Sequence, residues 1–328
     1  MIGGSDRVEE AGAILRAGGL VAFPTETVYG LGADARSARA VGRIFLAKGR
    51  PADHPLIVHL GDVSWLERWA VGVGKDARLL AEAFWPGALT LILHRAPGVP
   101  DEVTGGRETV GLRVPAQPIA LALLNAFGDG IAAPSANRFG RVSPTRAEDV
   151  LADLGDRVDL VLDGGPCQVG VESTILDLTA DVPQVLRPGG VDADALEAVL
   201  GRAILRTATG PSRAPGMLTA HYAPQAVVEV VAFEHVVVRA AQLLEQGLRV
   251  GVMSSSNLTI PGVAGLGSFT TSRDYARELY ACLREADRRE LQVVLAVPPP
   301  ATGIGVAVSD RLRRAASSFS LEDEEDAT

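Results

Sequence analysis

GGLVAFPTETVYGLGADARSARAVGRIFLAKGRPADHPLIVHL, residues 18–60, is the part of the chain from which the remainder can be read. It opens on Leu20-Val21-Ala22-Phe23, an apolar run of the length of a buried strand, and Pro24 ends ordinary pairing. Thr25-Glu26-Thr27 follow, small and polar, then Tyr29 and the glycines Gly30 and Gly32. A buried strand running into hydroxyls and glycines is how α/β proteins expose backbone amides and side chains to a ligand. About twenty residues on stand Lys48, Arg50, His54 and His59, with Pro51 and Pro55 stiffening the backbone. Cations on a stiffened loop suit an anion, most simply a phosphate. Lys48-Gly49-Arg50 alone reads equally as a solvated pair before a turn; the two segments together do not.

Working outward, Val8, Ala11, Ile14 and Leu15 share one face of residues 6–17, a helix ended by Gly18-Gly19. Residues 38–47 predict a second helix, with Val41, Ile44 and Phe45 inward and Arg39 and Arg43 outward. Further helices are expected over 76–84, 119–127 and 146–154, the last behind the cap-like Ser143-Pro144-Thr145. Strands are expected over 56–60, 88–94, 109–115, 131–133, 158–162 and 173–178. Polar groups recur where strands end: Thr25 to Thr27, Thr109 to Arg113, Ser135 to Asn137, and Ser173. That recurrence suggests one cavity lined by several strand ends. Each stretch alone has a plainer reading, Ser135-Ala136-Asn137 as a turn and Ser173-Thr174 as strand residues.

Around Arg206 the texture changes. RTATGPSRAPGMLTAHYAPQA is rich in Pro, Gly, Ser and Thr and reads as a linker, yet it holds Arg213, Met217, His221 and Tyr222. Beyond it, strands over 227–233, 250–254 and 293–297 alternate with helices over 236–246, 272–288 and 306–317. Such alternation implies a small parallel sheet with helices on both faces. Gly262, Gly265 and Gly267 lack the strand-turn-helix setting of a dinucleotide fingerprint. The final LEDEEDAT is acidic and expected to be disordered. The resulting divisions are a domain over 1–205, a linker over 206–225, a second domain over 226–317 and a tail over 318–328.

Composition sets limits on function. The 328 residues are 47% hydrophobic and 22% charged, as in a well-cored globular protein, and with 5% aromatic content the core is aliphatic. Forty acidic against 31 basic residues argue against a dedicated nucleic-acid binder while leaving room for a local basic face. Cys167 and Cys282 lie far apart, outside metal-ligand spacing, and read as ordinary buried thiols in a reducing compartment. MIGGSDRVEE lacks the charged and apolar regions of a signal peptide, and no apolar run reaches membrane-spanning length. The expectation is a soluble cytoplasmic protein with no membrane contact.

The ordered motifs AFPTETVYGLG (22–32), KGRP…HPLIVH (48–59), WPGALTLIL (85–93), TVGLRVP (109–115), AAPSAN (132–137), GVESTI (170–175) and LRPGG (186–190) resemble the YrdC family. APGMLTAHYAP in the linker and GIGVAVSDRLRRAA near the carboxyl end resemble its long, two-domain threonylcarbamoyl-AMP synthase form. The resemblance spans nearly everything except the tail. It implies an α/β fold with an open twisted mixed sheet around a large, positively lined cavity, then a small Rossmann-like parallel α/β domain, with the linker able to cover the cavity. It also implies a nucleotidyltransferase that joins L-threonine, bicarbonate or carbon dioxide, and ATP into threonylcarbamoyl-adenylate and pyrophosphate. A separate complex would then transfer the threonylcarbamoyl group to adenosine 37 of tRNA.

Residue by residue, the resemblance implies a threonine site of Thr27, His59, Arg113, Ala133 through its backbone, and Ser173. Arg113 suits the carboxylate because a guanidinium donates two parallel hydrogen bonds. Lys48 and Arg50 are the implied catalytic cations, neutralising charge on the leaving pyrophosphate. Ser135, Asn137 and Ser143 would position phosphates or ribose, with His54, Thr109, Arg187 and Tyr222 as further nucleotide contacts. Mg²⁺ is expected as a cofactor shielding the triphosphate, with no dedicated protein metal site. No residue looks like a covalent nucleophile, so catalysis would be positioning and electrostatics. Two departures stand out: His54 where the family usually has Asn, and Ser309-Asp310-Arg311 where it usually has Met-Asn-Arg.

Two other classes compete. Carbamoyl transfer to a different acceptor, as in hydrogenase-maturation proteins, goes with zinc-finger cysteines that two lone cysteines cannot supply. An RNA-binding module could use Arg138, Arg141 and Arg146 for weak contact with tRNA or double-stranded RNA, at an affinity falling steeply with salt.

Overall fold

The computed structural model describes residues 2–206, 215 and 222–317. Most of the expected linker, with Arg213, Met217 and His221, and the acidic tail lie outside the described residues. The chain divides into two compact units, Met1–Phe139 with Ser143–Met217 and Gly140–Val142 with Leu218–Thr328.

In the first unit the described residues form a ten-stranded mixed sheet. Its strands are β1 (Ile2–Gly3), β2 (Val21–Phe23), β3 (Gly30–Asp34), β4 (Ile57–His59), β5 (Leu89–His94), β6 (Thr109–Arg113), β7 (Ile131–Ala132), β8 (Leu160–Leu162), β9 (Thr174–Asp177) and β10 (Gln184–Arg187). Their order across the sheet is β1-β8-β2-β3-β7-β4-β6-β5-β9-β10. The helices are α1 (Val8–Arg16), α2 (Ala38–Lys48), α3 (Leu66–Trp69), α4 (Lys75–Phe84), α5 (Asp101–Thr104), α6 (Pro118–Phe127), α7 (Ala147–Leu154) and α8 (Ala193–Leu200).

The expected helices and strands are present, most with ends within two residues of those read from periodicity. β3 is the main local difference. Gly30 and Gly32, expected to open a loop, are instead paired with Phe23 and Val21 in an antiparallel hairpin. A Cβ on Gly32 would stand 2.8 Å from both Phe23 Cε1 and Ile131 Cγ2, so these glycines make room for the Phe23 ring. The short β1, β10, α3, α5 and α8 carried too little periodicity to be read.

Alternation assigns the two faces of the sheet. One face, including Ala22, Leu31, Ala33, Val58, Leu91, Leu93, Val110, Leu112 and Leu176, packs in a single apolar core with residues of α2, α3, α4, α5, α7 and α8. On the other face Val21, Phe23, Ile131, Ala133, Leu160 and Leu162 lie under α1 and α6. Further along that same face Ile57, Ile92, Ile175 and Leu186 form a small cluster of their own, containing no residue of a described helix. This half of the sheet is an apolar floor.

The second unit carries a parallel sheet of β11 (Val227–Val230), β12 (Val250–Ser254), β13 (Ala264–Ser268) and β14 (Val293–Ala296), in the order β11-β14-β12-β13. Its helices are α9 (Val236–Glu245), α10 (Ser272–Arg288) and α11 (Gly305–Ser317). Val236, Ala240 and Leu243 of α9 pack on Val250, Val252, Val293 and Leu295. β13 holds Gly265 and Gly267, which pair with β12 rather than forming a phosphate loop. The unfamiliar Ser309-Asp310-Arg311 is structural within this unit: Asp310 pairs with Arg311 at 2.6 Å and Arg314 at 3.0 Å.

Candidate active site

β4 and β6 run parallel with His59 opposite Arg113, so both side chains leave the sheet at one edge and on the floor face. The Arg113 Nε donates to the Gly87 carbonyl at 3.0 Å, and its Nη2 donates to Glu26 Oε1 at 2.6 Å. Glu26 Oε2 accepts from the Ala116 N–H at 3.0 Å. Among the described residues Nη1 of Arg113 makes no hydrogen bond. His59 is buried edge-on to Phe23, and its Nδ1 makes no hydrogen bond among the described residues. Burial, reinforced by the neighbouring Arg113 charge, pushes the His59 imidazole down to about 3, so it is neutral at physiological pH.

The other strand-end residues converge on this edge through backbone bonds. Ala133 N–H donates to the Ile57 carbonyl at 2.9 Å, Leu31 N–H to Pro134 at 2.8 Å and Tyr29 N–H to Pro144 at 2.9 Å. Val169 N–H reaches the Glu26 carbonyl at 2.8 Å, and Thr174 N–H the Ala88 carbonyl at 3.0 Å. Thr25 Oγ1 donates to the Val28 carbonyl and so accepts from Thr27 Oγ1 at 2.8 Å, closing the β2–β3 loop. Ser173 Oγ lies 2.8 Å from Thr90 Oγ1, and Arg187 donates from Nη2 to the Ser173 carbonyl at 3.0 Å. Ser143 Oγ donates to Glu172 Oε1 at 2.7 Å. Strands β4, β6 and β10 supply His59, Arg113 and Arg187, while Thr27, Ala133, Ser135, Asn137, Ser143 and Ser173 come from the loops that these backbone and side-chain bonds tie to the strand ends.

Lys48 joins them in an unexpected way. Its ammonium donates to the carbonyls of Ser135 at 2.6 Å and Asn137 at 2.5 Å, tying the end of α2 to the loop after β7. Burial, with the adjacent Arg50 charge, holds that ammonium well below the usual lysine range. Two of its three N–H groups serve the loop and one remains for a ligand. Arg50 Nη2 donates to Pro55 at 3.1 Å and its guanidinium stands 5.8 Å from the Phe139 ring. The same ring lies 5.5 Å from His54, whose imidazole burial and Arg50 shift downward. His54 is thus half-buried beside the buried Arg50, which disfavours the protonated form of its imidazole.

Two expected residues are placed elsewhere. Thr109 starts β6 opposite His94, four residues from Arg113 and so about 13 Å along the strand. It shares Arg113's face, with Gly111 between them. Tyr222 belongs to the second unit, where it is buried with φ +64°, stacks on Tyr280 at 5.7 Å and lies 5.1 Å from the Arg311 guanidinium. The sequence reading omitted Glu26, Thr90, Phe139 and Glu172, each a direct partner of a residue it did name. Only the acidic Glu26 between two threonines at a strand end carried a usable signal.

Cys167 and Cys282 are free and buried; burial raises both thiols, Cys282 to about 12, so neither is a poised nucleophile. Among the described residues no group of three or more His, Cys, Asp or Glu could hold a metal ion, and no helix is long and apolar enough to cross a membrane.

Residues 13–189 match the family model described as "Telomere recombination", and residues 191–317 match "Threonylcarbamoyl-AMP synthase, C-terminal domain". The chain is 44% identical to the threonylcarbamoyl-AMP synthase of Pyrococcus abyssi, covering 94% of this chain and 95% of that protein. It is 42% identical to the threonylcarbamoyl-AMP synthase of Bacillus subtilis, covering 94% and 93%. The crystal structure of P. abyssi Sua5 complexed with L-threonine superposes with a TM-score of 0.90 at 41% identity, over 97% of this chain and 98% of that one. The large mixed sheet and the second, parallel sheet are those of that structural relative. This chain belongs to the threonylcarbamoyl-AMP synthase family.

Proposed function

We propose that the protein joins L-threonine, bicarbonate or carbon dioxide, and ATP into threonylcarbamoyl-adenylate with release of pyrophosphate. The observation that carries this reading is the Arg113–His59 corner. A guanidinium whose Nη1 makes no hydrogen bond among the described residues stands beside a buried, neutral imidazole, at the end of an apolar floor. Arg113 would take the amino-acid carboxylate at Nη1 through a charge-assisted hydrogen bond. His59, being neutral, would offer a ring nitrogen to the substrate's hydroxyl or amine. Thr27, the Ala133 backbone and Ser173 would line the same corner.

The nucleotide is assigned to the adjoining cationic segment. The third N–H of Lys48 and the Arg50 guanidinium would meet the triphosphate, neutralising charge that develops on pyrophosphate as the carbamate oxygen attacks the α-phosphorus. Ser135, Asn137, Ser143, Arg187, His54 and Thr109 are proposed as further nucleotide contacts. Mg²⁺ would arrive with ATP as the substrate complex, shielding phosphate charge. The adenylate is a mixed anhydride, so its consumer is an acyl-transfer system; we propose the threonylcarbamoylation of tRNA adenosine 37 by a separate complex, in the cytoplasm.

The test is pyrophosphate release from ATP with and without L-threonine and bicarbonate, with serine as control. Release that needs both, with a threonylcarbamoyl-adenylate mass peak, is the expected result. Release indifferent to threonine would turn the reading toward another carbamoyl acceptor.

A further inference from the structure

Glu26 lies in the loop between β2 and β3 and is only 8% exposed. Its two oxygens have different duties: Oε1 holds Arg113 Nη2 at 2.6 Å, and Oε2 holds the Ala116 N–H at 3.0 Å. Its own backbone is pinned by Val169 N–H and by the Thr25-centred turn. The carboxylate therefore cannot rotate without breaking two bonds. The guanidinium it holds is also tied at Nε to Gly87. Because a guanidinium is planar and rigid, fixing Nε and Nη2 fixes the direction of Nη1, the nitrogen that has no hydrogen-bond partner among the described residues.

We propose that Glu26 is a positioning residue, orienting Arg113 so that Nη1 meets the α-carboxylate of the amino-acid substrate and making the site selective for a carboxylate over its neutral amide. The inference rests on the proposed function, since it concerns how that amino acid is chosen. The competing account is that Glu26 merely neutralises a buried arginine. The two differ in what they do to ligand selectivity. Neutralisation affects every ligand alike, whereas orientation affects only ligands whose carboxylate uses Nη1.

The discriminating variant is Glu26→Asp, which keeps the charge but withdraws the oxygens by one methylene. Adenylate formation by the full chain is measured over concentration series of L-threonine and L-threoninamide, with ATP and bicarbonate. The expected result is a threonine KM raised about tenfold or more, a threonine-to-amide preference reduced by a similar factor, and an ATP KM within about twofold of the parent. Equal losses for acid and amide, a matching rise in ATP KM, or no change would overturn the inference. Glu26→Gln, which keeps the shape without the charge, is the second variant. Calorimetric binding of L-threonine and L-threoninamide to the folded variants reads the same selectivity without turnover. If both variants fail to fold, Glu26 is structural and the inference falls. A parent chain that makes no adenylate would sink the proposed function instead, while the binding comparison would still decide the role of Glu26.

Discussion

Arg113 and His59 show how one position on a sheet edge imposes two opposite demands. Arg113 keeps its charge in a buried place because Glu26 pairs with it, so Arg113→Ala strands a buried carboxylate. That should lower stability by about 3–5 kcal/mol in urea unfolding. Replacing Arg113 and Glu26 together by apolar residues of similar volume should recover much of it. Independently, loss of the charge pair with substrate should weaken threonine use by roughly 2–5 kcal/mol, read from KM in whatever fraction is folded. His59 meets burial the other way, by staying neutral. Its ordinary value is 6.5 and its folded value about 3, so between those limits the unfolded chain binds a proton that the folded chain refuses. Stability should therefore fall on acidification through that window, by at most about 1.4 kcal/mol per pH unit from this group. The stability difference between the parent and His59→Gln, followed by urea midpoints from pH 7 to pH 4, should shift against the parent as pH drops; a constant difference would place the proton elsewhere.

At the level of elements, α2 and β3 carry the cationic segment and the loop that holds Glu26. α2 starts at Ser37, whose Oγ accepts from Ala40 N–H at 3.2 Å, and ends at Gly49 with φ +64°. Ser37→Ala should cost about 1 kcal/mol of thermal or urea stability by leaving an orphan N–H at the first turn. Two glycines in this region should respond with opposite sign. Gly42 lies inside α2 with nothing within 4 Å of an added Cβ, so Gly42→Ala should stabilise by about 0.5–1 kcal/mol. Gly32→Ala would press on Phe23 and Ile131 and should destabilise by about 1–3 kcal/mol. Calorimetric melts of the two variants check the pair. The sequence reading treated Gly30 and Gly32 as loop residues because a glycine-rich run looks like a turn until its aromatic partner is known.

Across the whole molecule each unit has its own apolar core, one around the ten-stranded sheet and another around Leu243, Val252 and Leu295. Trp65, Trp69 and Trp85, all the tryptophans in the chain, lie in the first unit. Leu295→Ala should remove about 2–5 kcal/mol from the second core. The far-UV circular dichroism transition should then broaden or move while the tryptophan-fluorescence transition keeps its midpoint. Coincident shifts in both signals would show that the cores melt as one.

By itself the sequence determined where most helices and strands lie, because periods of 2 and 3.6 are properties of a few neighbouring residues. It also marked Thr25 to Thr27, Thr109 to Arg113, Ser135 to Asn137 and Ser173 as polar strand ends, since polar groups interrupting apolar runs are visible locally. Tertiary structure alone decided that β4 lies beside β6, so that His59 faces Arg113 across 54 positions of sequence, and that Glu26 completes the pair. It decided that Lys48 turns inward to Ser135 and Asn137, and that Ile57, Ile92, Ile175 and Leu186 form a cluster that no described helix joins. Those outcomes depend on strand order and on which helix covers which face. Both are set by the packing of residues far apart in the chain, which no local pattern records.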